Sequence, residues 1–112
     1  MAKAIKKAGW LETVFLLAGY LERYQIEGDS MTPTLQPGDE VVIDPRGMLN
    51  SGDIVVIRHP FKSDVVMVKR IEEIEEDGSL YLLSDNPEGS QDSRTFGAVP
   101  IKYLKGKVVA VI

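Results

Sequence analysis

The chain has 112 residues, is 44% hydrophobic and carries a formal net charge of −4. That length fits one domain of the soluble globular class, and the acidic balance lacks the basic excess of a nucleic-acid binder, so no nucleic-acid partner is expected. The absence of cysteine excludes disulfide scaffolds, thiolate metal sites and cysteine nucleophiles, and it fits a cytoplasmic location.

The chain opens on Lys3, Lys6 and Lys7, and residues 1–24 read as an amphipathic helix. Trp10, Val14, Leu17, Leu21 and Tyr24 recur at helical spacing and share one face; Glu12, Gly19 and Arg23 lie opposite, with Phe15 and Leu16 broadening the apolar side. Packing on protein, the domain itself or a partner, is the expectation for this face, and a peripheral contact with a membrane surface is the alternative. Nine uncharged residues separate Glu12 from Glu22, whereas a spanning helix needs ~20 apolar residues, so no transmembrane span is expected. Glu12 also interrupts any secretory-signal pattern, and no Ala-x-Ala site follows.

Beyond the helix the periodicity falls from about four to two. Tyr24 to Ile26 reads as a short strand, Pro37-Gly38-Asp39 as a turn, and Glu40 to Asp44 and Ile54 to Arg58 as strands either side of a loop from Pro45 to Gly52. Gly38-Asp39-Glu40-Val41-Val42-Ile43 is echoed by Gly52-Asp53-Ile54-Val55-Val56-Ile57, which predicts two similar turn-to-strand entries in one sheet. Val65 to Ile74 is the longest strand candidate. Asp77-Gly78 signals a hairpin returning through Ser79 to Leu83. Ser84 to Gly97 is a polar loop, and Lys102 to Ile112 closes the chain with a strand. The acidic run Glu72, Glu73, Glu75, Glu76 and Asp77 reads as solvated surface, as do the early lysines. Six or so short strands with one N-terminal helix predict a mostly β fold, a coiled sheet or partly open barrel.

Two residues stand out chemically. Ser30 lies in a turn-rich stretch, and Lys69 is set among Val65, Val66, Met67, Val68 and Ile71. Serine needs a base to take its proton, and lysine can serve only when neutral. A model lysine has a pKa of ~10.4 and a working base wants ~7–8, a gap of ~4 kcal/mol that burial can supply. Lys69 shares a strand face with Val65, Met67 and Ile71, so among the lysines it is the best placed to be desolvated; an edge lysine reaching water is the competing reading, and the pattern alone weighs the two equally. By itself Ser30 also reads as an ordinary turn hydroxyl. The only histidine, His59, precedes Pro60 and reads as a loop residue with structural hydrogen bonds. In the polar loop, Asp85, Asn86, Ser90, Asp92, Ser93 and Arg94 suit a hydrogen-bonded network, with Asp92 and Arg94 as a charge-assisted pair. Asp85, Asn86 and Asp92 do not match a calcium loop, and neither metal nor cofactor is expected.

Three segments in order carry a resemblance. Gly28-x-Ser30-Met31-x-Pro33-Thr34-Leu35 resembles the nucleophile box of type I signal peptidases. Val68-Lys69-Arg70-Ile71 resembles their lysine box, shared with self-cleaving SOS repressors. Ser84-Asp85-Asn86 with Ser90-x-Asp92-Ser93-Arg94-x-Phe96-Gly97-x-Val99-Pro100 resembles their C-terminal box. The chain is therefore similar to peptidase family S26. Its short Ser30-to-Lys69 interval and its Arg58-His59-Pro60 step look most like the nickel-type superoxide dismutase maturation proteases.

The resemblance implies a helix over 1–24 and a Ser–Lys peptidase catalytic domain over 25–112. It implies a serine endopeptidase with Ser30 as nucleophile and Lys69 as general base. Ser90 would orient the lysine amine, Asp92 and Arg94 would hold their loop in shape, and Met31 and Pro33 would shape the nucleophile turn. The Ser30 backbone N–H would donate to the oxyanion. The expected partner is a protein precursor whose N-terminal propeptide is removed, with a nickel superoxide dismutase precursor as the leading candidate and the metal belonging to that substrate. The alternatives are a minimal signal peptidase at the membrane surface and a self-cleaving regulatory module, since Ala18-Gly19 resembles the bond that such repressors cut. Gly28 stands where some bacterial signal peptidases carry a side-chain oxyanion donor, which leaves the second donor unassigned.

Overall fold

The structure, a computed structural model, describes residues 5–112. Six strands form one antiparallel sheet: β1 (Glu22–Gln25), β2 (Glu40–Asp44), β3 (Ile54–Arg58), β4 (Val66–Ile74), β5 (Leu80–Leu83) and β6 (Leu104–Val111), in the order β1-β2-β6-β3-β4-β5. The mostly β expectation holds, and the strand bounds differ from the sequence reading by a few residues at most. Register shifts in the β2–β6, β3–β6 and β4–β5 pairings are the irregularities that let a sheet bend and coil without closing.

The last strand inserts between the two echoed segments, so β2 and β3 flank β6 on either side. Their entry turns are equivalent atom for atom. Asp39 Oδ2 accepts the Gln36 N–H at 2.9 Å, and Asp53 Oδ2 accepts the Asn50 N–H at 2.8 Å. Gly38 and Gly52 both take left-handed backbone (φ 92° and 95°), a conformation open to glycine. The first turn clasps Ile26, through Gly38 N–H to Ile26 O and Ile26 N–H to Asp39 O, both 2.8 Å. The second clasps Ile71 in the same way, at 2.7 and 2.8 Å. One turn thus braces the segment leading to Ser30, and the other braces the strand carrying Lys69.

Period-two alternation places apolar side chains on both faces. Ile54, Val56 and Val68 join Ile26, Met31, Leu35, Val41, Ile43 and Val108 on one side. Val55, Ile57, Met67 and Ile71 join Leu80, Leu82 and Val99 on the other. Lys69 has the parity of Met67 and Ile71, so its side chain enters this second cluster.

The predicted 1–24 helix is shorter. Helix α1 covers Trp10–Leu17, Glu22–Gln25 is strand, and residues 1–4 with Lys3 lie outside the described residues. Of the surfaces expected for its apolar face, the domain itself is not the one. No α1 residue is buried, and Trp10 and Leu17 are 74% and 85% exposed. Its foot is held instead by backbone: Val111 N–H donates to Lys6 O at 2.8 Å and Ala8 N–H to Val111 O at 2.7 Å. Among the described residues no helix is long and apolar enough to cross a membrane. Ala18 caps α1, and Gly19 follows with φ 82°, so the Ala18–Gly19 bond sits at a helix end rather than inside one.

Candidate active site

Ser30 is held in a tight turn by the apolar anchors that come after it in the chain. Met31 and Leu35 are 1% and 0% exposed, seated in the first core cluster with Val68; burial of each contributes ~1.5–3 kcal/mol. Ser30 itself is half-buried, and its hydroxyl donates to the Val68 carbonyl at 3.4 Å, a long contact. Its carbonyl accepts the Asn86 N–H at 2.8 Å, while its own N–H has no intramolecular acceptor among the described residues. Gly28, two residues earlier, has φ +74°. Side chains rarely tolerate that backbone, so the absence of a side-chain oxyanion donor here is fixed by conformation as well as by composition.

Lys69 is 4% exposed on β4. Burial pushes its amine below the ordinary lysine value, and the Asp92 carboxylate opposes the shift. Lys69 Nζ donates to Ser84 Oγ at 2.8 Å. Ser30 and Lys69 do not hydrogen-bond each other; the backbone links them, since the Ser30 hydroxyl rests on the carbonyl that immediately precedes Lys69.

The loop after β5 is a braced scaffold. Asp92 is 2% exposed and caps the short helix α2 (Ser93–Phe96). Burial alone would raise its carboxyl, but the Arg94 fork (Nε to Oδ1 at 3.1 Å, Nη2 to Oδ2 at 2.7 Å) and the N–H groups of Ser84 and Arg94 hold it at about 2. The Ser84 N–H donates to Asp92 Oδ2 at 3.0 Å, and the Leu82 N–H to Ser93 Oγ at 2.8 Å. The expected Asp92–Arg94 pair therefore forms, and through Ser84 it reaches the lysine.

The expected contact between Ser90 and the amine is displaced by one residue. Ser90 Oγ meets Ser84 Oγ at 2.9 Å and Asn86 O at 3.1 Å, and Ser84 stands between it and Lys69. A small hydroxyl at the end of β5 gave no signal among so many polar neighbours. Sequence reading also missed the partners of Asp85. Its carboxylate takes a forked pair from Arg70 (2.9 and 2.8 Å) and the Thr34 hydroxyl at 2.6 Å. Burial works against the ionised form, but the Arg70 and Thr34 hydrogen bonds outweigh it and the carboxyl lies below its ordinary range. His59 is the structural loop residue expected: its Nδ1 accepts the Phe61 N–H at 3.1 Å and its ring tilts against Phe96 at 5.0 Å. Among the described residues no group of His, Asp or Glu side chains is placed to hold a metal ion.

Comparison with known proteins finds a peptidase family and protease subunits. The peptidase S24-like family model matches residues 8–109. Subunit 1 of the mitochondrial inner membrane protease of Schizosaccharomyces pombe is 32% identical over 115 residues, covering 81% of this chain and 73% of that protein. The Xenopus tropicalis subunit 1 is 29% identical (72% and 62% covered), and an Arabidopsis thaliana ATP-independent subunit 1b is 30% identical (73% and 64%). The chain thus spans less than two thirds of the length of these last two relatives. With the family model covering nearly all of it, this chain belongs to the peptidase S24-like family.

Proposed function

We propose that the chain is a serine endopeptidase that works through Ser30 and Lys69 and cuts precursor proteins in the manner of a signal peptidase. The observation that carries this reading is the burial of Lys69 one residue beyond the carbonyl on which the Ser30 hydroxyl rests. A lysine kept from water gives up its proton readily and can act as a base.

In this reading the neutral Lys69 amine takes the Ser30 proton as Oγ attacks the scissile carbonyl. The Ser30 N–H, with no acceptor of its own, donates to the tetrahedral oxyanion. Collapse passes the lysine proton to the leaving amine and leaves an acyl-serine. Water then adds, giving a proton to Lys69, and the second collapse returns that proton to Ser30. The substrate approaches as an extended strand: β5 reaches along β4 only to Arg70, so among the described residues Val66 to Lys69 have no strand neighbour on that side, and edges of this kind take up peptides.

The relatives favour the signal-peptidase alternative over the maturation of a nickel superoxide dismutase precursor, because all three of them are inner membrane protease subunits by name. The exposed apolar α1 supports the peripheral membrane contact. The test is incubation of the protein with precursors of both kinds, one membrane-embedded with a cleavable leader and one nickel superoxide dismutase precursor, beside Ser30→Ala and Lys69→Ala. Cleavage of the leader by the wild type alone is expected. Equal cleavage by either variant rejects the dyad, and trimming of only the dismutase precursor restores the maturation reading.

A further inference from the structure

We infer that Ser84 is a positioning residue that holds the Lys69 amine with its lone pair free, and that Ser90 acts on the lysine only through Ser84. This rests on the Ser30–Lys69 reading above and adds to it a residue that reading does not require.

The argument is a count of protons. Asn86 O is a carbonyl and can only accept, so its 3.1 Å contact with Ser90 Oγ is attractive only if the single Ser90 hydroxyl proton points to it. Ser90 therefore has no proton left for Ser84. The two hydroxyl oxygens lie 2.9 Å apart, and with the Ser90 proton on Asn86 O that contact is a hydrogen bond only if Ser84 donates. With its proton committed to Ser90, Ser84 can only accept from Lys69 Nζ, at 2.8 Å. A neutral amine has two N–H bonds and one lone pair. One N–H goes to Ser84, and the lone pair is left uncapped.

The direction of the chain matters. A serine free to turn its hydroxyl proton toward the amine would occupy the lone pair a general base needs. Asn86 O fixes the polarity from the far end. The Ser84 backbone is fixed too, by its N–H bond to Asp92 Oδ2, and Asn86 ties the same loop to the nucleophile through its N–H bond to Ser30 O. Ser84 is 8% exposed, so water is poorly placed to replace its hydroxyl.

The test compares wild type with Ser84→Ala, Ser84→Thr, Ser90→Ala and the Ser84→Ala/Ser90→Ala double variant, with Ser30→Ala and Lys69→Ala as controls. The probe is an internally quenched peptide with alanine on both sides of the scissile bond. The second readout is the Lys69 titration followed by NMR of protein labelled at lysine Cε and Nζ, which needs no turnover. Ser84→Ala is expected to lower kcat about 10–100-fold with KM nearly unchanged, and to move the Lys69 titration about 0.5–1 pH unit lower, because the ammonium loses its acceptor. Ser84→Thr, which keeps the hydroxyl, restores both. The double variant is no worse than Ser84→Ala, since the two serines act in series.

Additive losses, or a Ser90→Ala defect with an unaltered Ser84→Ala, would place Ser90 directly on the lysine and overturn the proposal. A Ser84→Ala protein with the wild-type titration and kcat overturns it while leaving the dyad intact, provided the two controls are inactive. Controls that still cleave the peptide overturn the dyad instead, and the titration alone then decides whether Ser84 holds the amine.

Discussion

The carbonyl of Ser30 accepts the backbone N–H of Asn86 at 2.8 Å, across 56 residues of chain. The Asn86 side chain reinforces the link, with Nδ2 donating to Asp29 O at 3.2 Å and to Thr32 Oγ1 at 3.1 Å. Asp85 beside it gathers Arg70 from β4 and Thr34 from beyond Ser30. Two adjacent residues of one loop thus set the Ser30 turn against the Lys69 strand.

Asp85→Ala is expected to cost about 3 kcal/mol, because it removes the carboxylate that pairs with the mostly buried Arg70 guanidinium, whose bond to Gly52 O at 2.7 Å remains. Asn86→Ala, which keeps the backbone link, is expected to cost about 1–2 kcal/mol. Urea unfolding measures both. If Asp85→Ala is no worse than Asn86→Ala, the forked pair is not holding the turn.

The strands were legible because their β-branched runs alternate and are punctuated by Gly-Asp turns, and the Gly38/Gly52 echo correctly placed β2 and β3 in one sheet. Lys69 was only half legible: strand parity put it with Met67 and Ile71, but also with Val65, which is exposed, and left a buried and an edge position equally open. The bounds of α1 were not. Leu21 and Tyr24 continue the helical spacing, but Glu22–Gln25 pairs with β2, and tertiary pairing outweighs periodicity. Nor was Ser84 legible. Hydroxyl-rich loops offer many equivalent partners, and only three-dimensional placement chooses among Ser84, Ser90 and Ser93.

Lys69→Met separates chemistry from stability. Loss of the base should reduce turnover by at least about 100-fold. Stability should move the other way. The folded-state value of the amine lies below its unfolded value of ~10.4, so folding near neutral pH must either bury the charge or release the proton. Wild-type stability therefore rises with pH from the lowered folded value up to ~10.4, and Lys69→Met lacks that slope. The variant should be the more stable protein at pH 7, with the difference shrinking toward pH 10. A constant difference between pH 7 and pH 10 would mean that the amine is not desolvated.

Gly28→Ser supplies the hydroxyl that some signal peptidases use, yet it should lower activity. With φ at +74°, any side chain strains the turn by about 1–2 kcal/mol, although a Cβ would meet nothing within 4 Å. Gly28→Ala should be impaired to a similar degree. Faster turnover by the serine variant would show that the turn can relax and that an oxyanion donor is welcome there.

Asp92 couples acid stability to the Lys69 amine. Its carboxyl sits at about 2 when folded against ~3.9 unfolded, so ionised Asp92 contributes up to about 2 kcal/mol above pH ~5. That contribution is lost as the pH falls through ~4 toward 2. Asp92→Asn should accordingly be weaker at pH 7 and converge on wild type near pH 2, read as urea midpoints. The same carboxylate holds the Lys69 value up against burial, so the variant should also move the acid limb of the pH–kcat profile to lower pH. If stability drops and that limb stays where it was, Asp92 braces the loop without acting on the base.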